Sequence, residues 1–557
     1  MEAQTSVRQG ADTTAVSPLV LDVLRKRGFI EVSATQAFLY PDYERDLADP
    51  FLMTDMSKAV QRILLAAKKG ETVAVYGDYD IDGIVSTTLM LETLQQYGLQ
   101  PLTYIPDRYE EGYGIHVKAL EELKRQQVTL VISVDCGITS VEEAAWAREH
   151  GLDLIITDHH DAPPVLPRAL AVVNPKQPGD RYPFKDLAGV GVAFALARAL
   201  QQRTGVPVQG QEKWLLDLVA LGTVCDVMPL VGENRVLAKF GLLVLQKTRR
   251  VGLVALAQSA GLELSELKAY HLGFVFGPRL NAAGRLEHAN YSLELMLTQD
   301  PVEAQALAFQ LEELNHQRQL EQARIVQEAD ALAEAYSNDP VLVLDDASWP
   351  HGIVGIAASK LAEKWQKPTL ILQRLDDHAK GSGRSAGGYN LIDGLRSRAD
   401  LFTRLGGHSF AAGFTLPVEN LGELRTMLNQ HYLSVAAELP PVTTREAEII
   451  IDSPQDIHWD LYNSIGLLEP FGSANPEPAI SLNKLKIIEV SGVGKTKQHL
   501  RLKLAGEGGS IHNAIGFNLS EKYSNLKTGQ LVDVLCYLQK NQFQDRVSLQ
   551  LVVIALQ

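Results

Sequence analysis

Cysteine is scarce in this chain. The three present, Cys136, Cys225 and Cys536, cannot build a disulfide framework and fit a reducing cytoplasm. Long apolar runs are missing too: none approaches the roughly 18 residues of a membrane-spanning helix. Met1-Glu2-Ala3-Gln4-Thr5 carries neither a basic n-region nor an apolar h-region, so no signal peptide is expected there. Positive charge is in deficit, with 52 Lys and Arg against 67 Asp and Glu and a net charge of −15. That balance argues against a generic nucleic-acid coat. No internal repeat or low-complexity tract stands out. The 557 residues are enough for an ample core and several domains.

What the chain does have is acid at the ends of apolar runs. Residues 72–76, 130–134 and 154–157 are short, β-branched and nearly continuous, as in strands buried on both faces of a parallel sheet. Helical patterns at 86–97 and 141–150 lie between them, which implies right-handed βαβ crossovers. Ligands of such sheets bind beyond the carboxyl ends of the strands. There the sequence places Gly77-Asp78-Tyr79-Asp80-Ile81-Asp82-Gly83, Asp135-Cys136-Gly137 and Asp158-His159-His160. A fourth cluster, Gly222-Thr223-Val224-Cys225-Asp226, closes a later helical segment.

Asp78, Asp80 and Asp82 are two residues apart, so in an extended segment they point one way, and Gly77 and Gly83 permit a tight turn. Carboxylates this close repel unless cations neutralise them. A solvated acidic turn is the bland alternative; a calcium loop lacks the bidentate Glu its pattern requires. Imidazole shifts metal preference from magnesium and calcium toward manganese. Two metals about 3.5–4 Å apart sharing Asp135 would activate a water and stabilise a leaving oxygen, with no Ser or Cys nucleophile needed. Cys136 and Cys225 adjoin the acids but read as small buried hydrophobes.

The element at 77–83, Asp135, Asp158-His159-His160 and Gly-Thr-Val-Cys-Asp-x-Met-Pro-Leu at 222–230 resemble the four motifs of the DHH phosphoesterase superfamily. Gly-Pro-Arg-Leu-Asn-Ala-Ala-Gly-Arg at 277–285 is similar to the signature of its RecJ branch. Gly383-Arg384-Ser385 and the segment 406–413 resemble that branch's second core domain, and the segment 468–478 its oligonucleotide-binding domain. The resemblance implies an α/β protein: a parallel-sheet DHH catalytic domain, a long connecting helix, a second α/β domain and a C-terminal OB-like β-barrel. It implies Asp80, Asp82, Asp135, His159 and Asp226 as metal ligands, with Asp135 bridging and Asp78 completing the acidic shell. His160 would face the scissile phosphate. Arg108 and Arg279 resemble positions that grip substrate phosphates, and Arg384 and His408 join them from the second domain. Tyr76 departs from the superfamily, which often has His there.

The expected units are a leader at 1–45, mobile before about Ser17, the DHH domain at 46–299, a connecting helix at 300–339, a second domain at 340–440 and a barrel at 445–557. Asp300-Pro301 is a helix start signal. In the second domain, 381–388 and 406–413 read as small-residue loops that let a backbone approach a sugar-phosphate chain. In the barrel, Lys484, Lys486, Lys495, Lys497, Arg501 and Lys503 stand against Glu489 alone, a local basic stretch suited to a single strand. Phe471, Phe517 and Phe543 are candidate stackers, with core packing the commoner fate of Phe. Gly492-Val493-Gly494-Lys495-Thr496 mimics a phosphate loop, but Glu489 stands where its first Gly belongs.

The leading expectation is therefore a cytoplasmic exonuclease using two divalent metals, Mn2+ or Mg2+. By resemblance it digests single-stranded DNA 5′→3′ to 5′-mononucleotides in repair and recombination, with a single-strand-binding protein and a helicase as partners. A phosphodiesterase for short oligonucleotides or cyclic dinucleotides is the first alternative. A non-enzymatic replication scaffold is the second, opposed by the intact acidic and His positions.

Overall fold

The computed structural model describes residues 16–108, 110–440, 446–506, 509–543 and 546–557. The β-branched runs form β1 (Val73–Tyr76), β3 (Leu130–Val134) and β4 (Asp153–Thr157). With β2 (Leu102–Tyr104) and β5 (Ala171–Val173) they make an all-parallel sheet of order β2-β1-β3-β4-β5. The two edge strands escape sequence reading because each has three residues, too few for a pattern. The helix Ile81–Gln95 is buried at almost every position, which explains its lack of an amphipathic face. It packs against Gly189–Thr204 and Leu216–Cys225, so the first acidic cluster opens a helix enclosed by the domain core.

The helix Pro301–Glu334 starts where Asp300-Pro301 predicts, with the Asp300 carboxylate accepting from Val302 N–H. Its first half buries Leu307, Leu311 and Leu314 in the core around the parallel sheet. Its second half buries Ile325, Ala329 and Ala333 in the next unit. At 1.5 Å per residue it spans about 50 Å, long enough to belong to both.

The second unit is a mixed sheet of β6 (Leu342–Asp346), β7 (Thr369–Arg374), β8 (His378–Arg384), β9 (Arg404–Gly407) and β10 (Ala411–Pro417), in the order β6-β7-β8-β10-β9. Here the structure corrects the expected loops. Gly381 and Gly383 lie within β8, and much of 406–413 lies within β9 and β10. Glycine is depleted in strands, hence the misreading. At Gly381 a Cβ would meet the Phe414 ring at 2.6 Å and Leu372 Cγ at 2.7 Å, so the missing side chain admits core packing.

The third unit is a barrel of β11 (Ile449–Ile451), β12 (Ile480–Val493), β13 (His499–Ala505), β14 (Ile511–Gly516), β15 (Leu531–Phe543) and β16 (Arg546–Leu556). Pairing of β12 with β15 closes the sheet. The phosphate-loop mimic is the β12–β13 hairpin. Phe471 packs on the barrel core and Phe517 is exposed. The side chain of Phe543 lies outside the described residues.

The N-terminal segment differs from the irregular leader expected of it. Residues 1–15 lie outside the described ones, but Pro18–Lys26 and Val32–Leu39 are helices. Val20, Val23, Leu24 and Phe38 enter the barrel core, more than 400 residues away in sequence. Such remote partners leave no local signal. Arg27 cements the contact, pairing its guanidinium with Glu448 at 2.6 Å.

Candidate active site

The first three acidic clusters lie at the carboxyl end of the sheet. Asp80 caps the helix Ile81–Gln95, accepting from Asp82 N–H at 2.9 Å and Gly83 N–H at 3.2 Å. Gly83 is required, since a Cβ there would lie 2.5 Å from the Asp78 carbonyl oxygen. Buried Asp82 accepts from Gly189 N–H at 2.7 Å and Val190 N–H at 3.0 Å, at the N-terminus of Gly189–Thr204, where the helix field favours an anion. Asp135 follows β3 with φ of 62°, a left-handed conformation that non-glycine residues adopt at a cost. Asp226 follows the helix Leu216–Cys225.

These residues converge. His159 Nε2 lies 3.2 Å from Asp135 Oδ1, 3.6 Å from Asp226 Oδ2 and 4.0 Å from Asp82 Oδ2. Three sets offer ligand atoms within 4.8 Å of one another: Asp78, Asp80 and Asp135; Asp82, His159 and Asp226; Asp135, His159 and His160. Asp135 and His159 each belong to two sets. Tyr76 plays no part in the cluster; its ring is buried and its hydroxyl donates to the Gly114 carbonyl.

The donor set fits divalent cations. Asp78 Oδ1 and Asp135 Oδ1 are buried without a hydrogen-bond partner, which is costly for a carboxylate. Burial, then repulsion from neighbouring carboxylates, pushes Asp78, Asp135 and Asp226 well above the usual range and Asp82 to about 7. Burial drives His159 down to about 3, leaving a neutral imidazole suited to coordination. For His160, burial alone would lower the pKa. The hydrogen bond and charge of Asp158 overcome that and raise it to about 9. Asp158 is itself fixed by Ile138 N–H at 2.8 Å. His160 Nδ1 is taken by Asp158 Oδ1 at 2.8 Å and the Tyr113 hydroxyl at 3.0 Å, which leaves Nε2 for a substrate.

Opposite the acids lies positive charge. Arg108 stacks on Tyr79, the residue between Asp78 and Asp80, at 4.3 Å. Arg384 is held at the end of β8, its Nη1 donating to the Gly383 carbonyl at 2.8 Å. Arg285 reaches from the helix Gly277–Leu286 to the Gly352 carbonyl of the second domain at 3.0 Å. Burial, with like charge from Arg108, Arg318 and Arg384, lowers its pKa to about 9. Arg285 and Arg318, with Asn281 and Cys225, line a cavity of about 180 Å3. Arg285 was missed although it ends the quoted signature; Gly277, Asn281 and Arg285 recur every four residues on one helical face. Asn281 on that face accepts from Ile81 N–H at 3.0 Å, tying it to the first cluster. Arg318 has no local signal.

Two expected phosphate contacts sit differently. Arg279 is committed to Glu312 at 2.5 and 3.2 Å and to the Val275 carbonyl at 2.9 Å. His408 is exposed and lies 3.5 Å from Asp161, the residue after His160, so the β9–β10 turn reaches the catalytic domain across the cleft.

Three family patterns match in order: "DHH family, N-terminal domain" at 72–223, "DHHA1 domain" at 338–432 and "RecJ OB domain" at 451–555. Over 554 residues the chain is 38% identical to the single-stranded-DNA-specific exonuclease RecJ of Bacillus subtilis (strain 168), covering 99% of this chain and 69% of that protein. The chain belongs to the RecJ family. Its fold is similar to RecJ in complex with Mn2+ from Thermus thermophilus, with a TM-score of 0.83 at 30% identity, over 97% of this chain and 76% of that one. It is also similar to RecJ of that organism in complex with Mg2+, with a TM-score of 0.77 at 28% identity, over 97% and 74%. The expected RecJ-type architecture of DHH sheet, long helix, second α/β domain and OB-like barrel is the one observed.

Proposed function

We propose that this chain is a metal-dependent exonuclease that hydrolyses single-stranded DNA from the 5′ end to 5′-mononucleotides. The observation that carries this is the convergence of Asp78, Asp80, Asp82, Asp135, His159 and Asp226 opposite a cavity lined by Arg285 and Arg318. Asp80, Asp82, Asp135, His159 and Asp226 would hold two divalent ions, Mn2+ or Mg2+, with Asp135 placed to serve both. When bound, such ions supply Lewis acidity and a water nucleophile at neutral pH.

The chain's own residues do the rest. His160, held charged by Asp158, donates a hydrogen bond from Nε2 to the scissile phosphate or to the leaving oxygen. Arg108, Arg285 and Arg384, gathered near one another, hold a terminal phosphate, which makes the cut exonucleolytic. The second domain narrows the cleft to one strand. The barrel adds a strand-tracking surface through Lys484, Lys486, Lys495, Lys497, Arg501 and Lys503, a device that a small-dinucleotide phosphodiesterase does not need. A cytoplasmic setting, with a single-strand-binding protein and a helicase presenting the strand, completes the proposal.

The test is a single strand labelled distinguishably at its two ends, with Mn2+ or with chelator, and with Asp135→Ala as control. Mn2+-dependent release of mononucleotides from the 5′ end, lost in the variant, is expected. Binding without cleavage, or turnover of dinucleotides alone, would refute it.

A further inference from the structure

Apolar side chains left in water are unremarkable singly, but two here are paired. Tyr270 is 63% and Phe274 71% exposed, and their rings stack with centroids 5.0 Å apart and planes 24° apart. Phe274 belongs to Leu272–Phe276, wound as a π-helix, a turn found frequently at functional sites. The segment abuts the metal cluster. Cys225 Sγ–H donates to the Leu272 carbonyl at 3.3 Å, and Asp226 follows directly. A Cβ at Gly273 would lie 3.7 Å from Val224 Cγ1, so this helix and the one leading to Asp226 are in close contact. Gly273 and Gly277 line the Arg285 cavity. Just before the aromatic pair, Lys268 Nζ pairs with Glu469 Oε1 at 2.8 Å, linking the segment to the barrel unit. The rings therefore stand on the stretch that joins the metal site to the barrel. Arg279, the cation of the next turn, is engaged by Glu312, so this surface presents rings more than charge.

We propose that Tyr270 and Phe274 form a stacking platform for the bases of a single strand, on the helical turn whose Gly273 lines the arginine cavity. The inference rests on the nuclease function proposed above and adds a source of strand selectivity. Bases in a duplex are stacked on one another and offer no free face, whereas single-strand bases do. Aromatic stacking is indifferent to sequence, as a progressive nuclease requires.

Phe274→Leu and the double variant Tyr270→Ala/Phe274→Ala test it, with an oligonucleotide carrying 2-aminopurine near its 5′ end. Both sites are exposed, and matching melting curves with and without Mn2+ check the fold. Stacking is worth enough per base that KM for the strand should rise about 5- to 150-fold in the double variant, with aminopurine quenching lost. Phe274→Leu should share much of the loss, because it keeps apolar surface but not the ring. An unchanged KM and unchanged quenching in the double variant would overturn the platform. Quenching by the unsubstituted protein, lost in the double variant, in the absence of any hydrolysis would uphold the platform while removing the exonuclease proposal.

Discussion

Arg235 holds the catalytic unit, the N-terminal helices and the barrel together, and its removal should loosen all three. The side chain is 1% exposed. Its guanidinium donates to the carbonyls of Phe38 at 2.8 Å, Leu468 at 2.8 Å and Leu467 at 2.9 Å, and lies 3.8 Å from the Phe38 ring. Phe38 is in the last turn of one helix, and Leu467 follows the helix Trp459–Gly466, so the cation sits at two negative helix ends. Burial still lowers its pKa to about 9. Each hydrogen bond to a charged group is worth about 1.5–3 kcal/mol, and the guanidinium's desolvation offsets part of the sum. Arg235→Met removes the charge and takes their donor from the Phe38 and Leu467 carbonyls, while the Leu468 carbonyl keeps Asn475 Nδ2 at 2.9 Å; at about 1–3 kcal/mol for each unsatisfied group, a net loss of about 2–4 kcal/mol is expected. Urea unfolding, with hydrogen exchange followed in β12 and β13, reads this. Barrel amides should exchange faster while β1 and β3 hold, and strand affinity should fall. A loss below about 1 kcal/mol, the scale of an ordinary surface change, would refute the keystone role.

Other outcomes follow from the site. Gly189→Ala would put a Cβ 2.4 Å from Asp135 Oδ1; the Mn2+-induced rise in melting temperature should vanish, at a cost of about 1–3 kcal/mol in the metal-free protein. Without metal, Asp82 at about 7 and the raised Asp78, Asp135 and Asp226 bind protons more tightly folded than unfolded, so stability should fall as pH rises from about 4 to about 7. Stabilisation by Mn2+ should accordingly be small at acidic pH and reach about 2.7 kcal/mol above neutrality at a hundredfold excess over Kd; a gain that shrinks with pH would contradict this. Arg384→Gln should weaken discrimination between 5′-phosphorylated and 5′-hydroxyl strands about 10-fold or more, the worth of one charged hydrogen bond, measured as the ratio of kcat/KM values.

Short-range pattern carried much of the design. The apolar runs at 72–76, 130–134 and 154–157 announced a parallel sheet, because strands buried on both faces need continuous hydrophobicity. Asp80, Asp135 and Asp158 stood at their ends, and Asp300-Pro301 marked the long helix, because caps and turn residues act within a few positions. The sequence by itself determined the central strands of the parallel sheet, the long helix and the acidic and imidazole donors. Only the tertiary structure decided which charges are available. Arg279 is drawn to Glu312, Arg285 gathers with Arg108 and Arg384, and Arg235 finds carbonyls from residues about 200 positions distant on either side. It also placed the N-terminal helices in the barrel core and Gly189 against Asp135. The physical reason is range: backbone preference is settled within a turn or two, whereas ion pairing and packing depend on whichever remote surface the chain brings alongside.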